Sequence, residues 1–168
     1  MEGDTGTTQT TKPKFYRTTR FYIIIGGLIA LTVTPTLVYY SLSYNSVSGT
    51  HPELVTASKS ASYFEATFYV TIHVWSWAGS LNTEVNQPTF TLTVDNLPFG
   101  SQTGTSAIFQ PNNFLTYTFA FKTTDSGIAQ AVRNSNTNYL VVQMSAEVSA
   151  GWYRSLLTKS DSHAWTYG

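Results

Sequence analysis

Two patterns of apolar residues divide this chain. From Phe21 to Tyr40 the residues are predominantly apolar, and no Asp, Glu, Lys or Arg occurs between Arg20 and Glu53. About twenty such residues are what an α-helix needs to span a bilayer. Beyond residue 62 the pattern changes to alternating apolar and polar positions, which is typical of half-buried β-strands. The sequence therefore predicts an all-β domain tethered by one N-terminal transmembrane helix.

The alternation is clearest in four segments of the domain. These are Phe64–Trp77, Thr89–Asp95, Phe114–Lys122 and Tyr139–Val148. In the first, Phe64, Phe68 and Ile72 belong to the apolar set predicted to face the core. Shorter strands are expected near residues 107–110 and 152–158, and residues 128–133 (IAQAVR) favour a short helix. Turn-forming Asn, Pro and Gly residues separate the strands at the spacing of a sandwich or barrel.

The charges before the apolar run favour one orientation in the membrane. Basic residues outnumber acidic ones there, with Lys12, Lys14, Arg17 and Arg20 against Glu2 and Asp4. The positive-inside rule then places the N-terminus in the cytoplasm and the domain outside the plasma membrane. A cleaved signal peptide is the alternative, but the apolar run is longer than such a segment needs and ends in Tyr residues.

The predicted organisation has four parts. A basic cytoplasmic tail covers residues 1–20, and the transmembrane helix covers residues 21–42. A Ser-rich polar stalk covers residues 43–62, and an exported β-sandwich covers residues 63–168.

Composition and motifs exclude most chemistry. Only 11% of the residues are charged, against about a quarter in a usual soluble domain, and no basic stripe indicates nucleic acid. The absence of cysteine removes disulfides, thiolate nucleophiles and cysteine-based metal sites. His51, His73 and His163 lie far apart, and no G-x-S-x-G frame or phosphate-binding glycine loop occurs. We therefore predict no catalytic, cofactor-binding or metal-binding residue in this chain.

Trp75 and Trp77 are the candidate contact residues of the domain. They lie two positions apart on one strand and therefore share its otherwise polar face. An exposed apolar patch of this kind commonly marks an interface. The alternative is that later loops or the C-terminal aromatic residues cover both indoles.

Gly26 and Gly27 are the candidate contact residues of the membrane helix. Small residues let helices approach closely in lipid, so these glycines suit a helix docked against a larger membrane partner. A lone anchor, slightly kinked at Pro35, is the alternative interpretation.

The segment Ile72–Trp77 (IHVWSW) resembles the G-H-Q-W-Y-W stretch of subunit II of the haem–copper terminal oxidases. The resemblance is to members with one N-terminal anchor followed by an exported cupredoxin domain. The following layout is similar too, with Gln87-Pro88 before TFTLTVDN and residues 108–112 leading into residues 115–119. The resemblance implies a cupredoxin-like Greek-key β-sandwich or barrel.

The chain departs from that family at the dinuclear copper site. The family's first histidine should follow the segment Asp95–Pro98, and two cysteines should follow Lys122, but neither is present. Met144 alone cannot hold the metal, because the site depends on soft thiolates. Within the family, loss of this site distinguishes quinol oxidases from cytochrome c oxidases. The chain thus resembles subunit II of an archaeal quinol oxidase, the SoxA type.

That resemblance implies a non-catalytic role in an oxidoreductase. Haem and copper would belong to a large polytopic partner subunit that reduces oxygen, and this chain would bind no cofactor. Other membrane subunits, lipid and quinol are the further partners that it implies.

Two alternatives from other classes remain open. An archaeal type IV-like pilin also joins an apolar helix to a Thr/Ser-rich β domain, although residues 17–21 (RTTRF) lack the expected peptidase site. A membrane-tethered sandwich of the kind seen in water-stress proteins would be a structural or binding module, and it predicts no bound haem.

Overall fold

The computed structural model describes the backbone of residues 15–167 and the side chains of residues 19–167. Residues 1–14, most of the predicted basic tail, lie outside this range. The chain divides into two compact units, Met1–Val38 and Tyr39–Gly168, which are taken in turn.

The first unit consists, in its described part, of the helix α1, which spans Phe15–Ser48 and continues into the second unit. The segment Thr19–Ser48 is long and apolar enough to cross a membrane, with a mean hydropathy of 2.0 in its apolar window. Every large apolar side chain from Phe21 to Val38 is exposed. Length and composition thus support the predicted single-pass anchor.

The second unit begins inside α1 and includes the region predicted to be a stalk. Here the structure differs from the prediction, because residues 43–62 form the last turns of α1 and strand β1 (Thr50–Ala61). Ser43 and Ser46 are buried, and the backbone oxygen of Ser46 accepts hydrogen bonds from Thr50 Oγ1 and Ser76 Oγ, both at 2.8 Å. Hydroxyl groups with such partners can be buried at little cost, so a Ser-rich composition does not require a flexible stalk.

The remaining elements form two antiparallel sheets and one short helix. The first sheet has the order β1-β2-β6, with β2 at Ala66–Ser76 and β6 at Phe114–Thr123. The second has the order β4-β3-β7-β8, with β5 also paired to β3. Its strands are β3 (Thr83–Val94), β4 (Leu97–Thr103), β5 (Ala107–Phe109), β7 (Thr137–Ala150) and β8 (Tyr153–Thr166).

These elements confirm the coarse prediction of a mostly β protein with an apolar N-terminal helix. Every strand pair in the described part of the chain is antiparallel. The cupredoxin-like Greek key is not confirmed by these pairings.

The core follows the predicted alternation. Fully buried side chains of the two sheets include Phe68, Ile72, Phe90, Leu92, Phe121, Leu140 and Met144. Phe64 is an exception at 78% exposure, because it lies in the turn before β2 rather than on the strand. Burying an aromatic or branched side chain of this size contributes about 1.5–3 kcal/mol, so these residues account for much of the stability of the sandwich.

Local signals determine the turn after β3 and the short helix. Asp95 and Asn96 both have positive φ, at 49° and 66°, which a two-residue hairpin turn of the primed type requires. The helix α2 spans Ser126–Asn134 and is capped by Asp125, whose Oδ1 accepts hydrogen bonds from Gly127 N and Ile128 N. The predicted short helix at residues 128–133 is thus confirmed.

Candidate functional site

The pairing of β1 with β2 brings three aromatic side chains together in a patch, which we define as His51, Trp75 and Trp77. His51 pairs with Trp75 across the two antiparallel strands, and Trp77 lies in the turn that follows β2. The His51 ring lies 4.5 Å from the Trp75 ring and 4.9 Å from the Trp77 ring, centroid to centroid. The patch therefore results from one cross-strand pair and the turn at the end of β2.

The patch is open to solvent at one end. Trp77 is 74% exposed, whereas Trp75 is partly buried. The Nε1–H of Trp75 is buried and has no acceptor within the described residues. An indole usually finds a hydrogen-bond partner when buried, so this unpaired donor is an exception within the described residues.

The C-terminal aromatic residues pack elsewhere and do not cover the patch. Trp152 packs against Tyr39, Tyr153 against Tyr40, and Tyr167 against Phe68. Trp77 is therefore open to solvent, whereas Trp75 is partly covered by other residues of the domain.

A groove of about 350 Å³ runs beside the patch. Its lining includes Glu53, His73, Trp75, Trp77, Asn112 and Phe114. His73 stacks on Phe114 with their ring centroids 3.9 Å apart, and the strand register places Glu53 opposite His73. Aromatic faces beside one carboxylate suit a cationic or amide-bearing side chain of a partner. The groove thus offers stacking and charge contacts to such a side chain.

Metal binding finds no support among residues 19–167, where no three His, Asp or Glu side chains come together as metal ligands. The chain also contains no cysteine. The described part thus shows no site that would hold copper or zinc.

Gly26 and Gly27, the predicted membrane contacts, belong to the first unit. A Cβ added at either residue would meet no described atom within 4 Å. Both positions therefore present a smooth backbone surface that a neighbouring helix can approach.

The sequence did not predict the polar network that surrounds Lys59. Lys59 Nζ donates to Val132 O at 2.9 Å, to Asn138 Oδ1 at 3.1 Å and to Ser135 O. It also lies 4.6 Å from the centroid of the Tyr167 ring. All three ammonium protons thus have acceptors, so Lys59 joins β1 to the end of α2 and is not an available nucleophile. The only sequence signal was the scarcity of cations in the domain.

Asp95 supplies the negative charge of this network. Its Oδ2 accepts from Asn138 Nδ2 at 2.7 Å, and Asn138 is fully buried. Burial lowers the pKa of Lys59, and the nearby Asp95 carboxylate opposes that change. Burial, with a further contribution from Asp95, raises the pKa of Tyr167 to about 12. The network is a structural joint between the two sheets.

Comparison with known proteins does not assign a function. No family model and no curated protein matches this chain. Among solved structures, it is similar to a protein from Archaeoglobus fulgidus with 10% identity, over 69% of this chain and 98% of that one, at a TM-score of 0.40. Similarity at that level does not indicate a function for this chain.

Proposed function

We propose that this chain is a membrane-anchored, non-catalytic β-sandwich that binds a partner through the aromatic patch. The observation that carries the proposal is the 74% exposure of Trp77 beside His51 and Trp75. Exposed tryptophan side chains are often hot spots of binding interfaces. The absence of a metal-ligand group among residues 19–167 is consistent with a binding role.

The specific assignment that the sequence favours is subunit II of a quinol oxidase without a copper site. Its support is the resemblance of IHVWSW, which forms part of the aromatic patch. In this assignment the N-terminus is cytoplasmic and the sandwich lies on the outer face of the plasma membrane. A large polytopic partner carries haem and copper, and further membrane subunits, lipid and quinol surround the chain.

A second candidate is a membrane-tethered structural or binding module, as in the water-stress type. Two antiparallel sheets behind an apolar N-terminal helix suit this candidate, which needs no haem-bearing partner. The strand order within each sheet does not separate it from the first assignment, because Greek-key connections in a sandwich run between the two sheets. The cupredoxin-like fold is part of the first assignment only.

One purification separates the two candidates. The chain, tagged at its C-terminus, would be purified from native membranes in mild detergent, followed by a reduced-minus-oxidised haem spectrum and a metal count. Stoichiometric haem with quinol-driven oxygen uptake is the result expected of an oxidase subunit. A colourless preparation would reject the oxidase and favour the tethered module, and filaments would favour the pilin alternative.

The role of the aromatic patch has its own test. Replacing Trp75 and Trp77 together with Ala should reduce recovery of the bound partner while the sandwich keeps its circular dichroism spectrum. Leu156→Ala is the matched control, because Leu156 is 73% exposed on β8, away from the patch. Equal partner recovery from the double variant and the control would count against the proposed surface.

A further inference from the structure

The turn between β7 and β8 brings aromatic residues to the helical segment that opens the second unit. The Trp152 ring packs against Tyr39 with centroids 4.5 Å apart, and the Tyr153 ring lies 5.2 Å from that of Tyr44. Trp152 is nevertheless 65% exposed. A large indole is thus held at a defined place on the surface without being covered by the described residues.

The backbone of this turn is seated tightly on the helix. Gly151 has φ +53°, and a Cβ added there would lie 2.5 Å from Ser43 Oγ and 2.8 Å from the Tyr39 hydroxyl oxygen. The backbone N–H of Trp152 donates to Ser43 Oγ at 3.4 Å. Only glycine fits this approach, so the position of Trp152 along the helix is fixed.

The sequence indicates the level of this contact relative to a bilayer. The apolar run that starts at Phe21 ends at Tyr40, so Tyr39 and Tyr40 fall where the hydrocarbon region gives way to headgroups. Tyr and Trp are enriched at that boundary, because their rings combine an apolar body with a polar group. Trp152 touches Tyr39 and therefore lies at the same level.

The second exposed tryptophan of the unit lies farther along the helix. A Cβ added at Gly49 would be 2.9 Å from Trp77 Cδ1, which places Trp77 beside Gly49. Gly49 follows Tyr39 by ten residues, a separation of about 15 Å along a helix axis. The two tryptophans are similarly exposed but differ in level, which makes Trp77 a natural control for Trp152.

We propose that Trp152 inserts into the headgroup region of the leaflet that faces the sandwich, so that lipid covers the tip of the β7–β8 turn. This gives the sandwich a second attachment beside its helix and limits how far it can tilt relative to the membrane surface. The aromatic patch then stays at a constant height above the bilayer. This inference does not depend on which partner the patch binds.

Tryptophan quenching in vesicles tests the inference on the full chain. The protein would be reconstituted into phosphatidylcholine vesicles whose acyl chains are brominated close to the headgroup, and aqueous iodide would be added in a parallel series. Trp152→Phe should remove most of the quenching by bromine and leave the quenching by iodide unchanged. Trp77→Phe, the matched control, should remove iodide quenching and leave bromine quenching unchanged.

Three results would overturn the inference. Equal loss of bromine quenching in the two variants would mean that the two levels do not differ. Loss of iodide quenching in Trp152→Phe would place Trp152 in water. No change with either quencher in Trp152→Phe would mean that protein, such as a second copy of the chain, covers the turn.

Discussion

Replacing Lys59 with Met tests whether the network around its ammonium group holds the two sheets together. Met keeps much of the aliphatic stem and removes every donor, leaving Val132 O, Ser135 O and Asn138 Oδ1 without the hydrogen bonds they accept. A hydrogen bond to a charged group contributes about 1.5–3 kcal/mol, and an orphaned buried acceptor costs about 1–3 kcal/mol.

An opposing contribution reduces this loss. The pKa of Lys59 is lowered because burial destabilises its ammonium group more than the Asp95 carboxylate stabilises it. Met carries no charge and therefore has no such desolvation penalty. We therefore expect a net loss of about 2 kcal/mol in the free energy of unfolding, because Met cannot satisfy the acceptors. For a domain of this size, that loss lowers the melting temperature by roughly 6–10 °C.

The assay is thermal unfolding of the full chain in mild detergent, followed by circular dichroism in the strand region. Lys159→Met is the matched control, because Lys159 is an exposed lysine on β8. Its substitution should change the free energy of unfolding by no more than about 0.5 kcal/mol. The reasoning would be refuted if the two variants melted within about 2 °C of each other.

Two further predictions concern packing and alkaline stability. Gly104→Ala would place a Cβ 2.6 Å from Tyr117 Cε1, and we expect the free energy of unfolding to fall by about 1–3 kcal/mol in the same melts. Thr103→Ala is the control, because Thr103 is an exposed neighbour. Equal melting temperatures of the two variants would contradict the tight packing at Gly104. Because the pKa of Tyr167 rises to about 12 on folding, its contribution to stability is fully present below about pH 10 and is lost as the pH rises through about 12. The pKa of Lys59 is lowered on folding, so below the usual pKa of lysine the unfolded state binds more protons than the folded state. In that range the contribution of Lys59 to stability increases with pH, opposite to the effect of Tyr167. Burial also raises the pKa of Tyr117. Phenolate absorbance should therefore show Tyr117 and Tyr167 titrating late among the 11 tyrosines, and Tyr167→Phe should reduce the amplitude of the late titration. An unchanged titration would count against the buried hydroxyl.

The sequence predicted the strands that have one buried and one exposed face. Leu140, Val142 and Met144 on β7 alternate strictly and are all buried, as predicted. The same pattern fails for β1, where Pro, Ser and Lys fill the strand and the buried positions include Thr50. Its strand conformation depends on pairing with β2, which composition does not report.

The candidate site was predictable only in part. Period two placed Trp75 and Trp77 on one face, but nothing local indicated that His51 would pack between them, since that contact depends on the β1–β2 register. The Lys59 network could not be predicted from local sequence either, because the acceptors of Lys59 lie more than seventy positions away along the chain.

The outer edges of the two sheets have a consequence for any partner. In the described part of the chain, β1 lies beside β8 and β4 lies beside β6, so the sheets meet at both sides of the sandwich. At the first corner, Asp161 Oδ2 on β8 accepts from the backbone N–H of Leu54, next to the irregularity in β1. Unpaired edge strands ordinarily invite another chain to extend the sheet. Here each edge strand lies beside an edge strand of the other sheet, which leaves less room for an added strand. This arrangement favours recognition through side chains on the faces and turns.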